Sequence, residues 1–413
     1  MKDKLTFIDL FAGAGGLSEG FIRAGYKPIA HVEMDKAACL TLKTRMVYHE
    51  LSKKKKLNIY ESYLKGEINR SVLYQSVGND ILDTVINTEI GGVNNKPLFK
   101  KIDGLVNGRE VDFIIGGPPC QAYSLIGRAA LGKKVKKDKR NFLYKEYAKF
   151  LLRYKPKYFV FENVPGLKSA GDGKIYNDIK KLYKKIGYTL DDRLLNSWDF
   201  GVVQVRERLI IIGWRDDIKF KYPEFKKMNN NHTVNDIFAD LPSLKPGDAK
   251  RTMNYTDGKP SEYLITTGIR NGLDYVTHHI ARPHNPRDRA IYKMAIEMAE
   301  QGIRIKNDMI PKEKRTQKNI VDFLDRFKVV CERPHTMIAH IAKDGHFFIH
   351  PDKKSLRSIS VREAARIQSF PDNFFFEGVI ENQNRTAAFR QIGNAVPPMM
   401  AHIIASCIKR KIK

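Results

Sequence analysis

The sequence is poor in cysteine. Its 413 residues include only four, Cys39, Cys120, Cys331 and Cys407, and no two of them form a CxxC pair. This scatter excludes a disulfide framework and the usual spacing of a zinc site, so we expect no metal in the protein. Four unpaired cysteines also fit a reducing compartment, and we expect a cytoplasmic protein.

Long apolar runs are absent as well. No run approaches the roughly 18 residues that a membrane-spanning helix needs. The first residues show no signal-peptide pattern and lead directly into a strand-like stretch. We therefore expect no association with a membrane.

Acidic residues are too few to balance the basic ones. Lys and Arg number 73 against 46 Asp and Glu, which gives a formal net charge of +27. Such an excess favours a polyanionic partner, and a nucleic acid is the first candidate. A generic basic surface that keeps the protein soluble is the alternative. The length, with 42% hydrophobic residues, is sufficient for two globular domains.

The first pattern with chemical content is a strand, a glycine-rich turn and a helix near the start of the chain. An apolar run at 5–10 is followed by FAGAGGL from Phe11 to Leu17, and a helix is predicted for 18–24. Such a turn brings backbone amides close to a ligand. Glu33 follows a second strand about 20 residues later, where an acidic side chain can bind ribose hydroxyls. The pair predicts a nucleotide-type cofactor, either NAD or S-adenosylmethionine; a plain tight turn is the alternative for the loop alone.

A second strand and loop carry Cys120. The apolar run 111–115 ends in Gly116-Gly117-Pro118-Pro119, directly before the cysteine. Proline fixes the backbone angle φ, so the thiol is held in place, as a nucleophile requires. A small buried core residue is the alternative reading of a free cysteine. The frame of two glycines and two prolines favours the nucleophile.

Charged side chains also occur at two further strand ends. Glu162 ends the run YFVFE and precedes Asn163, and a carboxylate at the carboxyl end of a strand in an open α/β sheet lies where ligands bind. A helix cap or loop charge is the alternative. Gln204, Arg206 and Arg208 alternate as they lead into an apolar strand, which predicts that they share one face. A salt-bridged strand edge is the alternative there.

The rhythm of strands and helices fades from about residue 219. The stretch up to 357 is rich in basic residues and lacks long apolar strands, which predicts a separate, smaller domain. Beyond it, Ser360 and Glu363 have the spacing of a capping box, and this spacing predicts the start of a helix.

Taken together, the motifs resemble those of the DNA (cytosine-5)-methyltransferases and occur in the same order: DLFAGAGGL, GGPPCQAYS, FENV, QVRER and QIGNAVPP. The resemblance implies an α/β fold, with a Rossmann-like S-adenosylmethionine-dependent methyltransferase domain and a smaller, irregular target-recognition domain. The first domain would comprise 1–218 and 384–413, with a helical insertion at about 48–107. The target-recognition domain would comprise 219–383.

The resemblance also implies an activity. A methyl group would pass from S-adenosyl-L-methionine to C5 of a cytosine flipped out of double-stranded DNA at a specific sequence. Cys120 would attack C6 of the base, Glu162 would contact N3 and the exocyclic amine, and Arg208 would contact O2. Arg206 would orient Glu162. Contacts to DNA are implied for three polar residues of the same motifs, Gln121, Ser124 and Gln204.

On the cofactor side, the resemblance implies that Phe11 packs on the adenine, Glu33 holds the ribose and Met34 flanks the base. Further cofactor contacts are implied for Gly13, Gly15, Gly16, Leu17, Pro119, Leu143 and Asn394. The family also has an acidic cofactor contact before the cysteine strand. Three residues remain alternatives for it, Asp80, Glu89 and Asp103.

A chain of this size with one recognition segment suits the modification enzyme of a prokaryotic restriction-modification system. We expect a monomer associated with the nucleoid, and a cognate restriction endonuclease that acts separately. One alternative is a tRNA cytosine-5 methyltransferase of the same fold, and another is a DNA-binding protein without turnover. The large basic recognition region favours double-stranded DNA over tRNA, and the intact motifs favour an enzyme.

Overall fold

A seven-stranded sheet with the order β3-β2-β1-β4-β5-β7-β6 forms the centre of the computed structural model, which describes residues 4–119, 139–315 and 326–412. β7 is antiparallel to both of its neighbours, and the other pairs are parallel. The strands are β1 (Thr6–Leu10), β2 (Lys27–Glu33), β3 (Val85–Asn87), β4 (Phe113–Gly116), β5 (Tyr158–Asn163), β6 (Tyr188–Asn196) and β7 (Glu207–Arg215).

Helices precede, link and follow these strands. The first eight in chain order are α1 (Gly16–Arg23), α2 (Lys36–Lys53), α3 (Leu57–Lys65), α4 (Arg70–Gln75), α5 (Asn79–Leu82), α6 (Asn95–Val106), α7 (Leu143–Tyr154) and α8 (Lys174–Lys185). The later ones are α9 (Val234–Phe238), α10 (Glu262–Thr266), α11 (Pro286–Glu300), α12 (Val361–Ile367), α13 (Arg385–Asn394) and α14 (Pro398–Ile412).

Both faces of the sheet are buried at its central strands, which explains why β1, β4 and β5 are mostly apolar without alternation. In β4, Ile114 contributes to one core with α6, α7 and α8, whereas Phe113 and Ile115 contribute to another with α1 and α14. Successive side chains of a strand point to opposite faces, so each face receives its own apolar set. The α/β fold predicted from the sequence is confirmed.

The segment predicted as a helical insertion, about 48–107, contains helices and also one strand of the central sheet. The chain is helical from α2 to α5, but β3 then pairs in parallel with β2 as part of the central sheet. α6 is the crossover from β3 to β4 and packs on the sheet core. A strand of three residues is too short to show a periodic pattern in the sequence, so it could not be recognised there.

The region 219–383, for which target recognition is predicted, contains short elements around a separate apolar core. We call it the recognition region for this prediction. β8 (Thr252–Asn254) and β9 (Tyr275–Thr277) form an antiparallel pair. The core joins α9, α10 and α12 to α13 and also receives Ala14 and Val203. This core includes residues on both sides of 384, where the recognition region was predicted to end. The predicted domain boundaries remain predictions.

The predicted capping box is confirmed at the start of α12. The Ser360 hydroxyl accepts a hydrogen bond from the Glu363 amide at 3.1 Å, and Glu363 Oε2 accepts one from the Ser360 amide at 2.6 Å. Arg357 pairs with the same carboxylate, and it holds the pKa of Glu363 below its usual range although burial acts in the opposite direction. This buried cluster fixes the start of the helix.

Three findings concern the described ranges alone. None of their helices combines the length and the apolar character that crossing a lipid bilayer requires. No group of three or more His, Cys, Asp or Glu side chains in these ranges is arranged to hold a metal ion. Cys39, Cys331 and Cys407 are free thiols.

Candidate active site

The candidate site lies at one edge of the sheet, where the motifs converge. The carboxyl ends of the parallel strands β1, β4 and β5 carry the glycine loop, the Gly117-Pro118-Pro119 loop and Glu162. Because β7 is antiparallel, its amino end and Arg208 reach the same edge. β1 and β4 are neighbours, and the next described helices after them, α1 and α7, pack on opposite faces of the sheet. Ligands bind at such a switch point.

Glu162 and Arg208 form an ion pair at this edge. Arg208 Nε lies 2.7 Å from Glu162 Oε1, and the side chains are only 12% and 14% exposed, respectively. A Cβ atom at Gly117 would lie 2.5 Å from Glu162 Oε2, so only glycine allows the carboxylate to sit against this loop. Asn163 Nδ2 also donates to the Pro118 carbonyl at 3.2 Å. The ion pair is therefore packed against the backbone that leads to Cys120.

Three predicted site residues, Cys120, Gln121 and Ser124, lie outside the described residues. The structure describes their loop as far as Pro119, which is half-buried. Gly116 takes a left-handed φ of 148°, and a Cβ there would lie 2.0 Å from the Leu10 carbonyl oxygen. The glycines thus let β4 end tightly against β1, and this sets the direction in which the loop departs.

The structure corrects the prediction that Gln204 contacts DNA. Gln204 is fully buried, and its amide nitrogen donates to Gln368 Oε1 at 2.8 Å. Its carbonyl oxygen accepts from the Met337 amide at 2.6 Å. Both ends of the side chain are thus used within the protein, and none of its surface is offered to DNA. The predicted alternation itself is correct, because 204 and 206 are buried and 205 is exposed.

Arg206 is buried as well, and its guanidinium bonds to backbone segments of the protein. Its side chain is fully buried, and its guanidinium donates to the carbonyls of Met337 at 2.5 Å and Gly393 at 3.2 Å. Buried arginine can hold two backbone segments at once because its donors form a rigid fork. Arg206 therefore ties the turn before β7 to the recognition region and to α13. Its predicted role, to orient Glu162, stays a prediction.

The glycine loop after β1 has the backbone that a close ligand requires. Phe11, Gly13 and Gly15 take left-handed φ angles of 57°, 56° and 84°, respectively, and Gly15 caps α1. A Cβ at Gly16 would lie 2.2 Å from the Val396 carbonyl oxygen. The segment after Asn394 thus packs directly on the loop, and Asn394 itself is exposed at the end of α13.

The predicted cofactor residues differ in how far their side chains are exposed to solvent. Phe11, Gly13 and Leu143 are half-buried, and Met34 is 60% exposed. The side chain of Leu17 belongs to the core beneath α1, so this residue can offer a ligand only its backbone.

Glu33 is held in place at the end of β2. Its Oε2 accepts a hydrogen bond from the Gly13 amide at 2.8 Å, and its Oε1 accepts one from the Asp35 amide at 2.7 Å. Burial raises the pKa of the carboxyl, while these amides act in the opposite direction. Asn87 Nδ2 donates to the carbonyls of Glu33 and Met34 at 3.1 and 2.9 Å. Asn87, which sequence reasoning missed, therefore orients the turn that carries both predicted contacts.

The three alternatives for a further acidic contact lie in different places. Asp80 is in α5, before β3, and Asp103 is in α6, where it pairs with Arg153 and accepts from the Tyr154 hydroxyl. Glu89 alone follows the carboxyl end of β3, at the edge that carries the site. The geometry therefore favours Glu89.

The C-5 cytosine-specific DNA methylase family matches the chain over residues 5–71 and 83–410. The chain belongs to this family. The methylase is 42% identical to the type II methyltransferase M.Bpa9945I of Bacillus paralicheniformis, over 98% of both chains. It is 29% identical to the type II methyltransferase M1.HphI of Haemophilus parahaemolyticus, over 98% of this chain and 86% of that one.

Solved structures agree with the methylase in fold. A protein from an E. coli prophage, described as a DNA modification methyltransferase, has a TM-score of 0.65 at 23% identity and covers 99% of both chains. The methyltransferase EhMeth of Entamoeba histolytica has a TM-score of 0.57 at 15% identity and covers both chains fully. The enzyme thus has the methyltransferase fold, uses a methyl donor and acts on cytosine in DNA.

Asp9 is a second residue of the methylase that sequence reasoning missed. It lies in β1, two residues before Phe11, and is 1% exposed. Neither carboxylate oxygen has a hydrogen-bond partner among the described residues. Burial, with a smaller effect from the charge of Glu33, raises the pKa of Asp9 well above its ordinary value. The signal in the sequence was a lone acid within an apolar strand, beside the glycine loop.

Proposed function

We propose that this methylase transfers a methyl group from S-adenosyl-L-methionine to C5 of a cytosine flipped out of double-stranded DNA at one specific sequence. We further propose that it is the modification enzyme of a type II restriction-modification system, as the names of its relatives indicate for them. The enzyme would act as a monomer on nucleoid DNA, with a separate endonuclease. The observation that carries the proposal is the Glu162–Arg208 ion pair against the loop that leads to Cys120.

The reaction begins with covalent addition to the base. C5 of cytosine is a weak nucleophile, and addition of the Cys120 thiolate to C6 converts the ring into an enamine whose electron pair lies at C5. C5 then gains the methyl group, a base or water removes the C5 proton, and the electrons of that C–H bond expel the thiolate. The C–S bond that formed first therefore breaks last, and the thiol is regenerated.

Glu162 and Arg208 stabilise the charge that the addition creates. Negative charge moves toward N3 and O2 of the ring as sulfur adds to C6. A Glu162 carboxyl that shares a proton with N3, and a guanidinium at O2, would lower the energy of this state. The pair is only slightly exposed, so its electrostatic effect on the base is weakly screened by water.

The glycine-loop side of the site fits S-adenosylmethionine, which supplies an electrophilic methyl group when bound. The Glu33 oxygens each accept one backbone amide, which leaves lone pairs for ribose hydroxyls. Asp9 is a buried carboxyl group without a described hydrogen-bond partner, and a cationic ligand beside it would favour its ionised form. Both features match a nucleoside that carries positive charge.

Replacing Asp9 with asparagine is expected to stabilise the ligand-free protein and to weaken its binding of S-adenosylmethionine by about 10- to 100-fold, the value of a lost charged hydrogen bond. A raised pKa in the folded state means that the neutral carboxyl contributes stability at low pH, which is lost as the pH rises above the unfolded-state pKa. The melting temperature should therefore differ more between wild type and Asp9→Asn at pH 8 than at pH 5.

Thermal unfolding at both pH values, with and without S-adenosylmethionine, and calorimetric titration measure these effects. Asp112→Asn is the matched control, because Asp112 accepts from the Thr6 amide at 2.9 Å and pairs with Lys157 at the opposite edge. That variant should lose stability and keep its cofactor affinity. Unchanged affinity in Asp9→Asn would remove Asp9 from the cofactor site.

The proposed function is tested by expressing the chain in a host that lacks 5-methylcytosine. Mass spectrometry of the host DNA should show 5-methylcytosine, and base-resolution mapping should place it at one short sequence. DNA with that sequence should accept methyl groups in vitro from S-adenosylmethionine, whereas tRNA should not. Methylation of tRNA alone, or methylation of cytosines without a common sequence, would contradict the proposal.

A further inference from the structure

The segment 331–337 of the recognition region is docked on the turn that leads to Arg208. The Val205 amide donates to the Pro334 carbonyl at 2.9 Å, and the Thr336 hydroxyl donates to the Val205 carbonyl, also at 2.9 Å. Gln204 and Arg206 bind the backbone of Met337 from either side of this contact. Four hydrogen bonds therefore fix the segment relative to the Glu162–Arg208 pair.

Arg333 extends from this segment at the edge of the sheet that carries the site. Its guanidinium carbon lies 4.9 Å from the centre of the Trp198 ring. Trp198 lies in a short 3₁₀ turn directly after β6, and β6 is parallel to β5, so both strands end at the same edge. The arginine is exposed, and its guanidinium has no hydrogen bond or ion pair with any other residue of the described ranges.

This arrangement presents a donor fork without a partner in the described ranges. The cation–π contact holds the guanidinium near the Trp198 ring and leaves its N–H groups available to a ligand. A rotamer that is already restrained loses less entropy when it binds a ligand. Val205 bonds to Pro334, the neighbour of Arg333, and lies three residues before Arg208, which we assign to O2 of the target base.

We propose that Arg333 is a specificity-determining residue that reads a guanine in the major groove next to the target cytosine. The inference rests on the sequence-specific DNA methylation proposed above. Guanine presents two acceptors, O6 and N7, to a planar pair of donors, and arginine is the usual partner of this edge. Lysine and arginine both bind phosphates, whereas the two acceptors of guanine favour the paired donors of arginine, and the contact with Trp198 restrains where these donors lie.

The test compares the variants Arg333→Gln and Arg333→Lys with wild type on a panel of duplexes. Each duplex carries the mapped recognition sequence with one flanking base pair changed, and single-turnover methylation rates at subsaturating enzyme are measured. Arg109→Gln is the matched control, because Arg109 is exposed in the loop before β4, at the opposite edge of the sheet. Thermal unfolding of every variant checks that the fold is intact.

We expect both Arg333 variants to lose about 10- to 100-fold in the preference for guanine over the other bases at one position. Lysine should not rescue the preference, because it keeps the charge and loses the fork. Arg109→Gln should keep the wild-type profile. A uniform loss on all duplexes that lysine restores, or no change at any position, would overturn the proposal. Wild-type enzyme without sequence preference would overturn the proposed function instead.

Cys331 provides a readout that does not depend on catalysis. It is exposed two residues before Arg333, whereas Cys39 and Cys407 are buried. In a Cys120→Ala background, maleimide should therefore modify Cys331 selectively. Duplex DNA with the recognition sequence should slow this modification, and DNA with a changed guanine should protect less. Equal modification with and without DNA would place the segment away from the duplex and overturn the proposal.

Discussion

Replacing Cys120 with alanine is expected to abolish methyl transfer, with a loss of about 10⁴-fold or more, as is seen when an enzyme loses its covalent nucleophile. Without addition of sulfur to C6, C5 of cytosine retains the low nucleophilicity of an aromatic carbon. Alanine is close to cysteine in size, so the loop and the ligand sites should persist. Transfer of radiolabelled methyl groups to the mapped duplex measures the rate.

Two controls separate the chemistry of Cys120 from binding. The alanine variant should bind the duplex and S-adenosylmethionine with affinities close to those of wild type. Wild type should also form a denaturation-resistant complex with a duplex that carries 5-fluorocytosine, because fluorine at C5 cannot leave as a proton does. The variant should not form this complex. Continued turnover by Cys120→Ala would exclude the covalent mechanism.

Replacing Glu162 with glutamine is expected to lower kcat by about 10²- to 10⁴-fold, the contribution of a positioned acid or base. Glutamine preserves the shape of the side chain and can still accept from Arg208, so the packing against Gly117 should survive. It cannot share a proton with N3 of the base in the same way. The KM for DNA should therefore change little, and single-turnover rates should fall as much as kcat.

The control for Glu162 is Glu110→Gln. Glu110 lies before β4, at the far edge of the sheet, and its side chain is 81% exposed while it pairs with Lys157. An exposed pair of this kind contributes little to stability, and kcat should stay at the wild-type value. If Glu162→Gln lowered DNA affinity and rate in equal measure, Glu162 would act in binding and not in activation of the base.

The α/β fold was accessible from the sequence because strands such as β1, β4 and β5 are mostly apolar runs, and glycine or proline follows each of them within a few residues. Burial on two faces produces continuous apolar runs, and these runs stand out without any alignment. β3 was not predicted, because a strand of three residues is too short to form a recognisable apolar run. The capping box at Ser360 and Glu363 was predictable because both partners lie within one helical turn.

The sequence by itself determined which residue types stand at the strand ends: the glycine loop, the Pro-Pro-Cys loop, Glu162 and Arg208. Local order along the chain encodes these junctions, and their resemblance to one family gave them roles. The tertiary structure decided what each polar side chain meets. Gln204 and Arg206 are buried because segments from 337, 368 and 393 close over them. Partners that are more than a hundred residues apart leave no periodic trace, and only folding brings Arg333 onto Trp198.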